Sequence, residues 1–208
     1  MGSLADWVGV TLTFIVFVWG IYQFRKQTEL SRAFEIEKQR PRFFYERTTR
    51  ISKGDRVLRP NYFEESTPQN IKERLKQKDE YFFRINNISQ NGIYSLKIIF
   101  SHDNQVERYR IHGVSKNSAM VLVPKSDFKN WESLFIKFRS SANEIGYMYA
   151  SEGNTTYYFV KGRNRMITTS GDDRIIANDE KLVQKFDRKF KSGKSSSAYF
   201  YAEENMNK

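Results

Sequence analysis

Lys97 lies before, and Arg108 and Arg110 lie at alternate positions after, the dipeptide Asp103-Asn104. If those two residues form the turn of a β-hairpin, counting back along both strands places Lys97 opposite Arg110, and Ile99 opposite Arg108. Like charges directly opposite each other destabilise paired strands, so cations kept in this arrangement indicate binding of an anion. A third basic stretch extends the surface if its strand lies alongside. The pattern predicts an anionic-ligand site formed by Lys97, Arg108, Arg110, Lys137 and Arg139.

The whole chain is basic, with 35 Lys and Arg against 24 Asp and Glu and a net charge of +11. Such a surplus favours anionic surroundings, including inner-leaflet lipids, nucleotides and nucleic acid. The cationic strip also fits a second interpretation, a solvated face beside an acidic membrane. No RNA-binding motif accompanies the basic residues, so nucleic acid is the least favoured of these partners.

Residue types that carry most enzyme and metal chemistry are scarce. The chain has no cysteine, which excludes disulfides, thiolate metal sites and cysteine nucleophiles. Its two histidines are His102, beside the predicted turn, and His112, at a strand end, and both fit surface positions better than catalytic ones. Phosphate-binding glycine loops and the H-E-x-x-H and G-x-S-x-G motifs are also missing. The sequence therefore predicts no enzyme, no cofactor and no metal site.

The elements that must position the cations are short strands, because apolar residues alternate with period two from residue 42 onward. About eight strands are predicted, joined by close turns such as Ser89-Gln90-Asn91-Gly92. They cover residues 42–51, 81–88, 93–100, 106–112, 119–123, 132–139, 145–150 and 156–161. An antiparallel β-sandwich or a small barrel would pack such strands, and periodicity does not choose between them.

Two helices accompany the strands in this mainly β domain. Thr67-Pro68 offers a helix start, which predicts a short internal helix to residue 78. Residues 178–191 predict an amphipathic C-terminal helix, in which Leu182, Phe186 and Phe190 repeat every four residues. Packing of this Phe stripe on the sheet is favoured over binding to anionic lipid. The Ser-rich residues that follow predict a flexible tail.

The N-terminal part of the chain predicts a membrane anchor. Residues 7–24 form an uncharged run of eighteen residues, which spans about 27 Å as a helix and so nearly matches the hydrocarbon thickness of a bilayer. Bulky residues follow the run in place of a signal-peptide cleavage site, and no basic residue precedes it. The interfacial residues predicted for this anchor are Trp7, Trp19, Tyr22, Arg25 and Lys26.

Charge predicts the orientation of the anchor. Six basic residues lie between 25 and 44, and none lies before the apolar run, so the positive-inside rule places the C-terminal part in the cytoplasm. The predicted organisation is a short external N-terminus at 1–6, a transmembrane helix at 7–24, a helical stalk at 25–40 ended by Pro41, a β-rich domain at 41–191 and a tail at 192–208.

Two functions fit this organisation. The first is a single-pass, membrane-anchored cytoplasmic binding module that recognises a protein or an anionic ligand at the inner membrane surface. The second is a sensor whose β domain binds a nucleotide and whose helices associate to perturb the membrane. The order of elements resembles bacterial antiphage effectors with a membrane-anchored β-barrel that binds cyclic nucleotides. A homo-oligomer belongs to the second hypothesis, although Gly9 and Gly20 are too far apart to form a small-xxx-small association motif.

Overall fold

The computed structural model of the chain describes residues 4–60, 68–76, 81–125, 129–161, 165–170, 173–178, 184, 187–188, 190–191 and 197–203. The chain divides into two compact units, Met1–Gln39 and Arg40–Lys208. The first is a helix and the second is mainly β.

The first unit is the long helix α1, Leu4–Lys38. By its length and composition it can cross a membrane, and its apolar residues are exposed in this structure. The Thr11 hydroxyl donates to the Trp7 carbonyl at 2.8 Å, which satisfies a polar group in the apolar stretch. The helix continues beyond Phe24, as the sequence predicts, and it ends shortly before Pro41, because a residue preceding proline is disfavoured in helical conformation.

Among the described residues, the second unit contains a second helix, α2, and the strands, besides the helical residues between 184 and 191. Their bounds are β1 Phe43–Thr48, β2 Arg56–Pro60, α2 Pro68–Lys76, β3 Phe82–Asn87, β4 Ile93–His102, β5 Gln105–Val114, β6 Ala119–Leu122, β7 Trp131–Arg139, β8 Ile145–Ser151, β9 Asn154–Lys161, β10 Arg165–Ser170, β11 Asp173–Asn178 and β12 Ser197–Tyr201. All eight predicted strands are present, as β1 and β3 to β9.

The strands form two sheets, which makes the domain a β-sandwich rather than a closed barrel. The smaller sheet has the order β1-β3-β6-β2-β12, and the larger has the order β11-β10-β9-β8-β7-β4-β5. Neighbouring strands are antiparallel except β2 and β6, which are parallel. One hydrophobic core joins Phe83 and Leu58 of the smaller sheet to Phe100 and Phe138 of the larger. The sheets therefore pack face to face.

Each sheet also buries apolar residues on its other face. Ile71 of α2 packs with Phe82 and Val121 on the smaller sheet. On the larger sheet, Phe190 packs with Ile99, Phe135 and Tyr147. The prediction that the C-terminal Phe stripe contacts the sheet is confirmed at Phe190, whereas Leu182 and Phe186 lie outside the described residues.

Four strands of the described residues were not predicted. No strand was predicted at β2, because its buried apolar residues, Val57 and Leu58, are adjacent and give no period-two alternation. β12 lies in the predicted flexible tail and pairs with β2. Asn178, the first residue of the predicted C-terminal helix, instead ends β11, and the described residues from 184 to 191 are helical.

A bulge alters the predicted face of one residue in β4. Period-two alternation within the predicted strand 93–100 would place Tyr94 on the buried face with Leu96, but Tyr94 is 55% exposed and Ile93 is buried in its place. Ser95 has φ +52°, and pairing with β7 shifts between Tyr94 and Lys97. An extra residue in one strand reverses the alternation on one side of the bulge.

The start of the second unit is held by a buried ion pair. Arg40 donates from Nε and Nη2 to the two carboxylate oxygens of Glu144, at 3.1 and 3.0 Å. Both side chains are at most 10% exposed, and the Arg40 guanidinium lies over the Phe159 ring. Close by, the amide of Phe43 donates to the Tyr157 hydroxyl at 2.9 Å. These contacts fix the first residues of the domain against β9 and the turn that precedes β8.

Candidate functional site

The five predicted anion-binding residues lie on three adjacent strands of the larger sheet. The strands are β5, β4 and β7, in that order. Residues next to the cations in sequence, such as Ile98, Tyr109 and Ile136, face the core between the sheets. Because side chains alternate along a strand, the cations project from the opposite surface, which we call the outer face. Its cations are Lys97, Arg108, Arg110, Lys137 and Arg139.

Three of these cations form a line across the strands, which we call the cationic row: Arg110, Lys97 and Lys137. Lys97 pairs in register with Arg110 of β5 and also with Lys137 of β7. Adjacent strands lie about 4.8 Å apart, and both in-register neighbours of Lys97 at this spacing are also cations. The predicted hairpin register is confirmed, and the binding role of these residues stays a prediction.

The register follows from a tight turn. Asp103 and Asn104 both have positive φ, at 42° and 62°. A two-residue turn of type I′ needs positive φ at both positions, and Asn and Asp tolerate it better than most residues. This turn fixes the pairing of β4 with β5, because a shift by one residue would expose the core face of both strands.

The two remaining cations flank the cationic row. Arg108 lies opposite Ile99, and its Nε atom is buried with no hydrogen-bond partner among the described residues. Arg139 is exposed and donates from Nη1 to the Asn143 amide oxygen at 2.8 Å. A buried guanidinium nitrogen without a partner costs free energy, and a hydrogen-bond acceptor at this atom would remove that cost.

Asp187, which the sequence did not single out, meets the cationic row. Its Oδ1 atom accepts a hydrogen bond from the Lys137 ammonium and another, at 2.9 Å, from the Tyr147 hydroxyl. Burial raises the pKa of Asp187, but hydrogen bonds from Lys137 and Tyr147 outweigh it and hold the pKa below its usual value. Burial, together with the adjacent Asp187 carboxylate, raises the pKa of Tyr147 well above its ordinary value.

Three residues after Asp187, Phe190 covers the apolar part of the outer face. Its ring is stacked on Phe135 with the centroids 5.3 Å apart, and it is 7% exposed. Residues three apart lie on the same side of a helix, so Asp187 and Phe190 contact the sheet together. A signal was present in the sequence, since Asp187 is the one acidic residue among the basic residues from 181 to 191. Nothing local, however, identified Lys137 as its partner.

His102 corrects the prediction of a surface histidine. It is fully buried, with Nε2 lying 3.7 Å from Oε1 of Glu107. The second oxygen of Glu107 accepts a hydrogen bond from the Tyr109 hydroxyl, and the first accepts one from the Lys125 amide. These groups lie inside the sandwich and away from the outer face. His112 is exposed, as predicted.

The predicted anchor residues all lie on α1. Trp7, Trp19 and Tyr22 are more than half exposed, and the rings of the latter two have centroids 6.0 Å apart. Arg25 and Lys26 follow within the next turn and are also exposed. Aromatic residues near the end of an apolar helix, followed by cations, suit a membrane–water interface.

Comparison with known proteins adds no family assignment, since no family model, curated protein or solved structure matches the chain.

Proposed function

We propose that this chain is a single-pass membrane protein whose cytoplasmic β-sandwich binds an anionic ligand on its outer face. The observation that carries the proposal is the cationic row, in which Lys97 lies between two further cations on adjacent strands. The bound group is the anion of a small ligand or an acidic segment of a partner protein. The N-terminus lies outside the cell.

The cationic row is unfavourable for the empty sheet. Like charges directly opposite each other destabilise paired strands. Any polar uncharged residue at position 97 would remove both repulsions and keep the outer face soluble. A sequence that breaks a local rule in this way does so most often at functional sites, and an anion between the strands would turn the repulsion into attraction.

The membrane part of the proposal rests on α1. The helix carries an uncharged run from Trp7 to Phe24 with basic residues after it, and it is long enough to cross a bilayer. The cytoplasmic leaflet is negatively charged and attracts basic segments. Anchoring there would concentrate the domain near headgroups and membrane-bound partners, which raises the effective concentration of such ligands.

The proposal is tested with the full chain in nanodiscs of neutral lipid. Thermal unfolding is measured with inorganic phosphate, tripolyphosphate, nucleotides, cyclic dinucleotides and an acidic peptide. A ligand that binds only the folded state stabilises it by about 2.7 kcal/mol at one hundred times its dissociation constant. We expect at least one anion to raise the melting temperature, and we expect Lys97→Glu to abolish the rise.

Lys116→Glu is the matched control, because it makes the same charge change in the exposed turn between β5 and β6. It should leave most of the stabilisation intact. If no anion stabilises the wild-type chain, or if both variants weaken binding equally, the outer face is a solvated surface and the proposal is wrong.

A further inference from the structure

The cationic row already holds one carboxylate, that of Asp187. This carboxylate binds Lys137 at one end of the row and also accepts the hydroxyl of Tyr147 on the next strand. Its interactions are those that an external anion would make at the same place. Lys97 and Arg110 continue the row away from Asp187.

The contact made by Asp187 is open to exchange. The side chains of Lys137 and Asp187 are 23% and 35% exposed, so water and solutes reach the pair. Partly exposed ion pairs contribute little to stability. Phe190 is the stronger attachment of this segment, because it is buried against Phe135 and Tyr147.

We infer that Asp187 is a built-in competitor for the ligand of the outer face, and that a ligand carrying several phosphate groups binds the cationic row by displacing it. Displacement of the carboxylate leaves Phe190 to hold this segment on the sheet, so ligand binding makes release of the segment around Phe190 easier. This inference rests on the proposed function and names the chemistry of its ligand.

The competition itself indicates a multivalent ligand. Asp187 is part of the same chain, so its effective concentration at Lys137 is high. A ligand with one carboxylate would offer Lys137 the same interaction at a lower concentration, so it would not displace Asp187. A chain of phosphates offers more charge at Lys137 and reaches Lys97 and Arg110 as well, and phosphate oxygens are strong acceptors for such cations.

The probe is inorganic tripolyphosphate, added to the full chain in neutral-lipid nanodiscs. We expect Asp187→Asn to bind it about three- to ten-fold more tightly than the wild type, because the competitor is gone. Glu46→Gln is the matched control, since it removes one negative charge from an exposed position on the smaller sheet. Phe190→Ala, which changes no charge, should also tighten binding because it loosens the segment that carries Asp187.

Hydrogen exchange of residues 184–191 reports on release. In the wild type, tripolyphosphate should speed exchange there and leave β4 and β7 protected. A second arm replaces some of the neutral lipid with phosphatidylinositol bisphosphate and omits tripolyphosphate. Faster exchange in that arm would identify lipid headgroups as a source of the phosphates, and faster exchange only with tripolyphosphate would identify a soluble source. Either result supports the inference.

The outcomes separate the two proposals. Binding that Lys97→Glu abolishes, but that Asp187→Asn strengthens no more than Glu46→Gln does, would overturn the competition and leave the proposed function standing. If Asp187→Asn binds tripolyphosphate more tightly, but tripolyphosphate does not speed hydrogen exchange of residues 184–191 in the wild type, release of the segment is wrong. If neither phosphate source binds, the multivalent-phosphate site is wrong, while binding of another anion in the thermal measurements would still support the broader function.

Discussion

Arg40 and the cationic row have opposite electrostatic surroundings. Arg40 is nearly buried, and both oxygens of Glu144 accept its hydrogen bonds while its guanidinium lies over Phe159. In the cationic row, by contrast, Lys97 has Arg110 on one side and Lys137 on the other. The first cation is neutralised by its own chain, whereas the second is placed among like charges.

The difference separates a structural cation from a candidate binding cation. A buried charge must be paired, because its desolvation is costly. Arg40 meets that requirement through Glu144, so binding of an anionic ligand would not stabilise it further. Lys97 is half-buried on an outer face and lies in register with two further cations, of which Lys137 is paired with Asp187. An anion would therefore stabilise the row and would be repelled by neither neighbour.

Glu144→Gln breaks the structural side of this comparison and should have the largest effect. The substitution keeps the shape of the side chain but leaves the buried Arg40 guanidinium without its charge partner. Loss of one member of a buried pair costs about 3–5 kcal/mol, so we expect the free energy of unfolding to fall by about that amount. Chemical denaturation of the full chain in mild detergent measures it.

Glu152→Gln provides the control for that measurement, because Glu152 is exposed in the turn between β8 and β9. We expect it to change the free energy of unfolding by less than about 0.5 kcal/mol. Equal effects of the two substitutions would show that the Arg40–Glu144 pair does not hold the start of the domain.

The same contrast explains which features the sequence could predict. The register of β4 and β5 was predictable because a two-residue turn at Asp103-Asn104 and period-two alternation both act locally. The pairing of Arg40 with Glu144 joins residues 104 positions apart, and no local pattern encodes it. The contact of Asp187 with Lys137 joins residues 50 positions apart, which no local pattern encodes either. Burial of His102 escaped prediction because the nearby turn suggested exposure, although β4 extends to His102 itself.

Lys97→Thr sharpens the other side of the comparison, with an effect of opposite sign. Removing the central cation relieves its repulsion with both neighbours, and Thr suits a strand. We expect the ligand-free domain to gain about 0.5–1 kcal/mol in the free energy of unfolding, while affinity for the anion falls. Lys116→Thr, in the turn after β5, should show neither change. A less stable Lys97→Thr protein would mean that the row is not repulsive.

The smallest expected effect is a pH dependence of the Asp187 contact. Since hydrogen bonds from Lys137 and Tyr147 lower the pKa of Asp187 below 3.8 in the folded chain, its contribution to stability is present above that value. It is lost as the pH falls through the lower, folded pKa. The wild type should therefore melt slightly above Asp187→Asn at neutral pH, and the gap should close below about pH 3.8. Because Asp187 is partly exposed, salt should shrink the gap at neutral pH as well. A gap that ignores both pH and salt would show that Asp187 is held by packing of its segment, so that the carboxylate would not compete with an anion for the row.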